Sequence, residues 1–291
     1  MENKKNILAA IVSYNPDDKI IRCYNSIKEQ VDKVIIVDNF TTNENSKKYL
    51  KQLSTNVEII YNDKNYGIAK ALNQAAKYAI NNEFKWLLTL DQDSEFLPDT
   101  YKLILSSYEK MQDNKKIMLL APQYKKRILI SDTDNIDYNV VDINKIKWKK
   151  ENLVITSGSL IKTEIFNNIG LFDEKLFMDR VDFEFCLRLN KCGYFSKIAT
   201  NVYFVHEFGK ENKKYGFKVS NYSAERRYYI AKNSVYIFKK YFLYFPKESL
   251  YLILRSGFFV AFVKILLFEQ NKTDKIKSIY KGFFDGILNR F

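Results

Sequence analysis

Short apolar runs ending on polar residues alternate with segments of helical periodicity through the N-terminal part of the chain, and this alternation restricts the fold more than any other feature. Ile7 to Ser13, Lys33 to Asp38 and Val57 to Tyr61 read as strands. A fourth lies within Lys85-Trp86-Leu87-Leu88-Thr89-Leu90-Asp91-Gln92-Asp93-Ser94, an apolar run that reads as a buried strand and stops on two carboxylates. Between the strands, Ile20, Ile21, Tyr24 and Ile27 recur at helical spacing after Pro16-Asp17-Asp18, and alanine-rich Ile68 to Ile80 follows the turn-rich Asn62 to Gly67. Strands alternating with helices predict an α/β domain with a mostly parallel central sheet, and the alternation persists to about residue 210. With 291 residues and 46% hydrophobic side chains, the chain has room for one such domain and an appendage.

In an open parallel sheet, ligands sit beyond the carboxyl ends of the strands. Tyr14, Asp38, Asn65 and Asp91 fall at four such exits and describe a nucleotide pocket. In an extended backbone residues i and i+2 point the same way, so Asp91 and Asp93 can converge just past the fourth strand. Two hard oxygen ligands there suit Mg or Mn shared with a diphosphate, although polar loops also place acidic residues at strand ends. Met111 to Lys150 is lysine-rich and locally strand-like. Leu153 to Ser159 reads as a strand running into the small-residue turn Thr156-Ser157-Gly158. Asp179, Asp182 and Glu184 then stand at the start of a helix, where spacing alone favours capping.

The cysteines are Cys23, Cys186 and Cys192, without a Cys-x-x-Cys pair, which argues against a disulfide framework or structural zinc and fits a reducing cytoplasm. A single histidine, His206, excludes any site needing several imidazoles. The run Ile7 to Val12 is short and has no small-residue cleavage pattern, so it reads as a strand, not a signal peptide. The net charge of +13 calls for a partner. No zinc-finger spacing, ribonucleoprotein motif or dense Arg cluster points to nucleic acid. An anionic membrane surface fits better, because the chain from Tyr222 onward is rich in Tyr, Phe, Lys and Arg. Ser249 to Phe268 is its most apolar stretch, but Arg255 and Lys264 interrupt it, which favours an interfacial or packed helix over a spanning one.

Ser13-Tyr14-Asn15, Val37-Asp38-Asn39, Asn65-Tyr66-Gly67-Ile68-Ala69 with Asn73, Asp91-Gln92-Asp93, the Thr156-Ser157-Gly158 turn and the block around Asp182 occur in the order seen in glycosyltransferase family 2. Phe177-Met178-Asp179-Arg180-Val181-Asp182, Val205-His206-Glu207-Phe208-Gly209, Arg226-Arg227-Tyr228-Tyr229 followed by Lys232-Asn233, and Lys281 to Gly286 make the chain resemble the rhamnosyltransferase branch most. Phe40 departs from the small polar residue often found there. The resemblance covers nearly the whole chain and implies a GT-A fold, a Rossmann-like domain that binds a nucleotide sugar and inverts the anomeric centre by single displacement.

It further implies roles. Asp93, with Asp91 and His206, would hold a Mg or Mn ion; a surface position for His206 is the equal alternative. Ser13, Tyr14, Asn15, Asp38, Asn65, Gly67, Asn73, Asp91 and Gln92 would form the nucleotide-sugar site, with Tyr14 stacking on the base and Asp38 accepting its imide proton or merely capping a turn. Asp182 matches the family's general base, with Asp179 as its rival or as a group holding the acceptor. Residues 1–215 would form the GT-A domain, 1–95 binding nucleotide and 96–215 acceptor, and 216–291 a helical membrane-proximal or oligomerisation extension. Three functions are compatible: an inverting rhamnosyltransferase using dTDP-L-rhamnose on a lipid-linked or polymeric glycan in bacterial surface polysaccharide synthesis; the same chemistry with UDP-galactofuranose, UDP-galactose or UDP-N-acetylglucosamine; or a catalytically silent GT-A scaffold acting as a membrane-bound assembly module. The expected location is the inner face of the cell membrane, peripherally bound.

Overall fold

Ile7–Ser13 forms strand β1, whose residues Ile7 to Ile11 are wholly removed from solvent. Ile7, Ala9 and Ile11 face one core layer and Leu8 and Ala10 the other, the two-residue period of an extended chain covered on both sides. In the computed structural model, residues 6–112, 114–126, 145–206, 212–214, 217–219 and 221–291 are described. Helix α1 (Lys19–Ile27) leads to β2 (Lys33–Asp38), α2 (Glu44–Leu53) to β3 (Glu58–Tyr61) and α3 (Ile68–Asn81) to β4 (Trp86–Asp91). These strands are parallel in the order β3-β2-β1-β4, with Ser13 beside Asp38, Asp38 beside Tyr61, and Val12 beside Asp91, so their carboxyl ends share one rim. The small residues Ala69, Ala71, Ala75, Ala76 and Ala79 let α3 lie close on the sheet.

Beyond β4 the chain continues through β5 (Ser94–Phe96), α4 (Thr100–Glu109), β6 (Ile117–Lys126), β7 (Trp148–Glu151), β8 (Ser159–Lys162), α5 (Ile165–Ile169), α6 (Val181–Lys191) and β9 (Phe195–His206). Here the sheet is mixed: β8 runs antiparallel to both β4 and β6, β9 is parallel to β6, and β5 and β7 are antiparallel to β9. Parallel order is thus confined to the first four strands and the β6–β9 pair. The chain enters β8 from a turn at the rim, where the Gly158 N–H donates to the Thr89 carbonyl at 2.8 Å, so it must run back against β4. The strand expected at Leu153 to Ser159 therefore begins only after the turn. Val154 is buried as part of a loop, and burial without sheet pairing gave the segment its strand-like pattern. Much of the lysine-rich segment between Met111 and Lys150 lies outside the described residues.

The C-terminal part holds a short hairpin of β10 (Asn212–Lys214) and β11 (Phe217–Val219), then α7 (Ala224–Tyr241), α8 (Pro246–Leu250), a π-helical turn at Tyr251–Gly257, α9 (Phe259–Phe268) and α10 (Lys272–Ile287). Helix α10 lies along α7 closely enough that a Cβ at Gly282 would overlap the Tyr228 carbonyl. The apolar stretch Ser249 to Phe268 is divided among α8, the π turn and α9, and among the described residues no helix is long and apolar enough to cross a membrane. The side chains of Arg226 to Tyr229 are engaged within the protein: Arg226 is paired with Asp179, Arg227 is buried against Glu269, the Tyr228 hydroxyl donates to Asp285 at 3.0 Å, and Tyr229 stacks on Phe177. A helix carrying the second half of an internal interface looks basic and aromatic for that reason.

Candidate active site

The loops leaving β1, β2 and β4 are stitched into one rim. The Ser13 hydroxyl donates to Asp38 at 2.9 Å, and Thr41 donates to the same carboxylate through its N–H at 2.9 Å and its hydroxyl at 2.6 Å. Asp38 is buried, so its carboxylate shapes the loop after β2 in the way a strand-end Asp caps a turn. The Asn15 amide oxygen accepts from the N–H groups of Thr42 and Asn43 at 2.9 and 3.0 Å. Gln92 ties the third loop in, accepting from the Tyr14 N–H at 2.9 Å. The Tyr14 ring is left exposed at this rim, as is Phe40, whose backbone adopts φ of 74°. Asn65 accepts from the Asn39 amide at 2.8 Å and the Gly67 N–H at 2.9 Å, and Asn39 accepts from the Tyr66 N–H at 3.0 Å. Asn39 is thus a second organiser of the rim.

Asp91 and Asp93 stand half-buried at the end of β4. The Thr156–Gly158 turn packs behind them, Ser157 accepting from the Asp91 N–H at 3.0 Å and sharing a hydrogen bond with Ser94 at 2.5 Å. Both carboxylates act on Cys23, whose thiol is pushed up chiefly by burial and then by the charges of Asp93 and Asp91. Among the described residues no three His, Cys, Asp or Glu side chains gather as a metal cage. The pair alone fits the kind of ion that is held by one or two carboxylates and completed by substrate phosphates, as Mg is. The main chain of His206 pairs with Ser94, next to Asp93; its side chain, like Glu207, Phe208 and Gly209, lies outside the described part.

The second wall is the loop Phe177–Arg180 and the start of α6. Gly67 has φ of 83°, and a Cβ there would collide with the Phe177 carbonyl, which also accepts from the Ile68 N–H at 2.7 Å. The absent side chain is what lets the rim touch this loop. Asp179 and Arg180 both adopt left-handed conformations, φ of 57° and 70°, held by the Asn233 amide donating to the carbonyls of Met178 at 2.7 Å and Asp179 at 3.0 Å. Asp179 is gripped by Arg226 at 2.9 to 3.3 Å. Asp182, the first-turn carboxylate of α6, accepts from the Phe183 N–H at 2.8 Å. Removal from water pushes its carboxyl up to about 7, with Asp179 and Asp91 adding to the rise and the Phe183 N–H and Arg180 opposing it. Asp91 on the rim and Asp182 at the start of α6 therefore share one electrostatic field.

Asn73 is not at the rim. It is buried on α3 and clasps the loop before α6, donating to the Phe172 carbonyl at 2.9 Å and Glu174 at 2.8 Å while accepting from the Phe172 N–H at 2.8 Å. Glu184 is fully buried and accepts from Arg188, Lys240 and Tyr241, the last at 2.7 Å; Arg188 also holds the carbonyls of Ile169, Gly170 and Leu171. Arg226 and Asn233 stood in the sequence within a basic aromatic segment that carried the family resemblance, with no role at the site attached to them. Their signal was their spacing of two helical turns on one face of α7.

Residues 9–170 match the family described as Glycosyl transferase family 2. The chain is 32% identical over 237 residues to the dTDP-rhamnosyl transferase RfbF of Shigella flexneri, spanning 77% of this chain and 76% of that protein. It is 26% identical over 107 residues to the uncharacterized protein MJ0544 of Methanocaldococcus jannaschii, 35% of this chain and 47% of that one. Its fold is shared with GalNAc-T7 crystallised with UDP, GalNAc and Mn2+, at a TM-score of 0.60 and 14% identity over 100% of this chain. The S. aureus TarS fragment 1-349 in complex with UDP-GlcNAc aligns at a TM-score of 0.58 and 16% identity, over 97% of this chain and 81% of that fragment. The chain spans 57% of the GalNAc-T7 chain.

Proposed function

Because the chain belongs to glycosyltransferase family 2 and has the GT-A fold, we propose that this glycosyltransferase is an inverting rhamnosyltransferase that takes L-rhamnose from dTDP-L-rhamnose and places it on a lipid-linked or polymeric glycan at the inner membrane face. The donor assignment is supported by the likeness to the Shigella flexneri dTDP-rhamnosyl transferase over three quarters of both chains. The observation that carries the chemistry is the half-buried Asp182 carboxyl, set across from the Asp91–Asp93 rim with its proton affinity raised into the neutral range.

Single displacement needs an acceptor hydroxyl in line with the leaving diphosphate and a base to receive its proton. Asp182 fills that second role: a carboxylate with affinity near neutrality takes the hydroxyl proton as the oxygen closes on the anomeric carbon, while the bond to the diphosphate breaks on the opposite side. Tyr14, exposed at the rim, offers its ring to the base, and the main-chain turns fixed by Asp38, Asn39 and Asn65 shape the cradle for the nucleoside. Asp91 and Asp93, with His206, would hold a Mg or Mn ion that offsets charge on the departing diphosphate. Gly67 and Asn73 keep the two walls together.

A UDP-sugar donor is the second reading, favoured by the shared fold with TarS bound to UDP-GlcNAc. A thermal-shift panel of dTDP, UDP and GDP with Mg or Mn separates them, since a ligand that binds only the native state raises its stability. Stabilisation by dTDP above the others, followed by transfer from dTDP-L-rhamnose, is the expected result. Stabilisation by UDP alone overturns the donor, and no response to any of the three overturns the enzyme reading.

A further inference from the structure

The acidic character of this site poses a problem of charge. Four carboxylates, Asp91, Asp93, Asp179 and Asp182, line its two walls, and a diphosphate would add further negative charge. A cation pair on the rim is therefore expected among the described side chains, and only two guanidinium groups stand against these carboxylates. Arg180 is turned inward, donating to the Ser234 hydroxyl at 3.3 Å with its guanidinium over the Phe183 ring at 5.5 Å, and burial depresses its proton affinity. Arg226 is different. It sits in the first turn of α7, after the Ser223 cap, and its side chain is 47% exposed while that of Asp179 is only 17% exposed. Its guanidinium lies over the Tyr222 ring at 4.4 Å and is in the field of Asp91 as well as Asp179.

The contact with Asp179 uses the guanidinium fork: Nε donates at 3.0 and 3.3 Å and Nη2 at 2.9 Å. That planar fork matches a carboxylate and a phosphate equally well, and one fork cannot grip both at once. The loop beneath does not depend on the pair alone, because Asn233 holds the carbonyls of Met178 and Asp179 and Ile68 holds that of Phe177. The fork can therefore change partners without the loop losing its other ties.

We propose that Arg226 is a ligand for the donor's diphosphate that Asp179 holds in reserve, so that a nucleoside diphosphate binds by drawing the guanidinium away from the carboxylate. This inference rests on the nucleotide-sugar reading of the site. It makes the first turn of α7 part of the donor site and makes Asp179 a competitor of the donor. Once released, Asp179 is left beside Asp182 to face the acceptor.

The test is calorimetric titration of dTDP and UDP, each with Mg, and of thymidine, into the full chain and three variants. Arg226→Gln should weaken nucleoside diphosphate binding about tenfold or more, a loss of about 1.4 kcal/mol, and leave thymidine binding unchanged. Asp179→Asn should tighten diphosphate binding, because the competing carboxylate is gone. The double variant should be as weak as Arg226→Gln, since Asp179 acts on the diphosphate only through Arg226. Arg226→Lys, which keeps charge without the fork, should fall between wild type and Arg226→Gln and serves if the glutamine variant does not fold. Diphosphate affinities within twofold of wild type in the single variants overturn the exchange, as does weakening by both, or tightening by Asp179→Asn that persists in the double variant. A wild-type protein that binds none of the nucleotides overturns the donor reading itself, and the exchange with it, whereas wild-type binding with unresponsive variants overturns the exchange alone.

Discussion

At the scale of single residues, Asp182 and Asp93 have different surroundings and different roles in the proposed reaction. Asp182 has its carboxyl pushed up to about 7, mainly by removal from water, so the native state keeps a proton that an unfolded chain releases near pH 4. Between those two values the folded state binds more protons, and stability contributed by this group is complete below the unfolded value and declines as pH rises through about 7. Asp182→Asn should therefore raise the melting temperature at pH 8 and leave it nearly unchanged at pH 3.5, which thermal unfolding at the two pH values reads directly. The same variant should lower turnover by about 10² or more with little loss of donor affinity, and the acid limb of the pH–rate profile near pH 7 should vanish with it. If Asp179→Asn loses turnover in this way and Asp182→Asn does not, the base has been assigned to the wrong carboxylate. Asp93→Ala should abolish transfer and metal-dependent nucleotide binding in a protein that still unfolds cooperatively; unchanged turnover in the purified variant would remove the metal role.

At the scale of elements, the site is a junction of two walls, and its clasps are polar groups that look catalytic in one dimension. Glu184 is fully buried at the centre of one clasp, joining α6 to α7 through Arg188, Lys240 and Tyr241. Replacing it by Ala leaves cations without their counter-charge and should destabilise the fold by about 3 kcal/mol or more, measured by denaturant unfolding. A change under 1 kcal/mol would show the network to be dispensable. Strands β1 to β4 and helix α3 were legible because both-face burial writes continuous apolar runs and helical packing writes a period near four. The strand-end position of Asp91 and Asp93 was legible for the same reason. The occupation of Asp38 by Ser13 and Thr41, the withdrawal of Asn73 from the rim, and the grip of Arg226 on Asp179 were not, because each depends on a partner brought close only by the fold. Leu153 to Thr156 misled in the opposite direction, since a buried loop residue such as Val154 leaves the same apolar mark as a strand residue.

At the scale of the whole molecule, the C-terminal helices have two faces with different work. The inner face of α7 belongs to the site, with Arg226, Tyr229 and Asn233 all on the Phe177–Arg180 loop. The outer surface of the following segments leaves large apolar side chains in solvent, among them Leu243 at 89%, Leu254 at 54%, Leu267 at 64% and Phe284 at 57%. Exposed Lys247, Lys272, Lys277, Lys281 and Arg290 accompany them on α8 and on α10 and just past its end. Apolar groups of that size beside cations, on a chain of net charge +13, suit the interface of an anionic bilayer, where rings and aliphatic groups enter the headgroup region and lysines meet lipid phosphates. The protein should thus co-sediment with vesicles containing anionic lipid more than with neutral ones, and salt should release much of it, because screening acts on the charges and not on buried apolar surface. Leu266→Glu together with Leu267→Glu, on the exposed side of α9, should lower the salt-resistant fraction while leaving nucleotide binding intact. Equal, negligible binding to both kinds of vesicle would assign this surface to contact between protein chains instead, and sedimentation of the free protein as a dimer that the double Glu variant dissolves would then account for it.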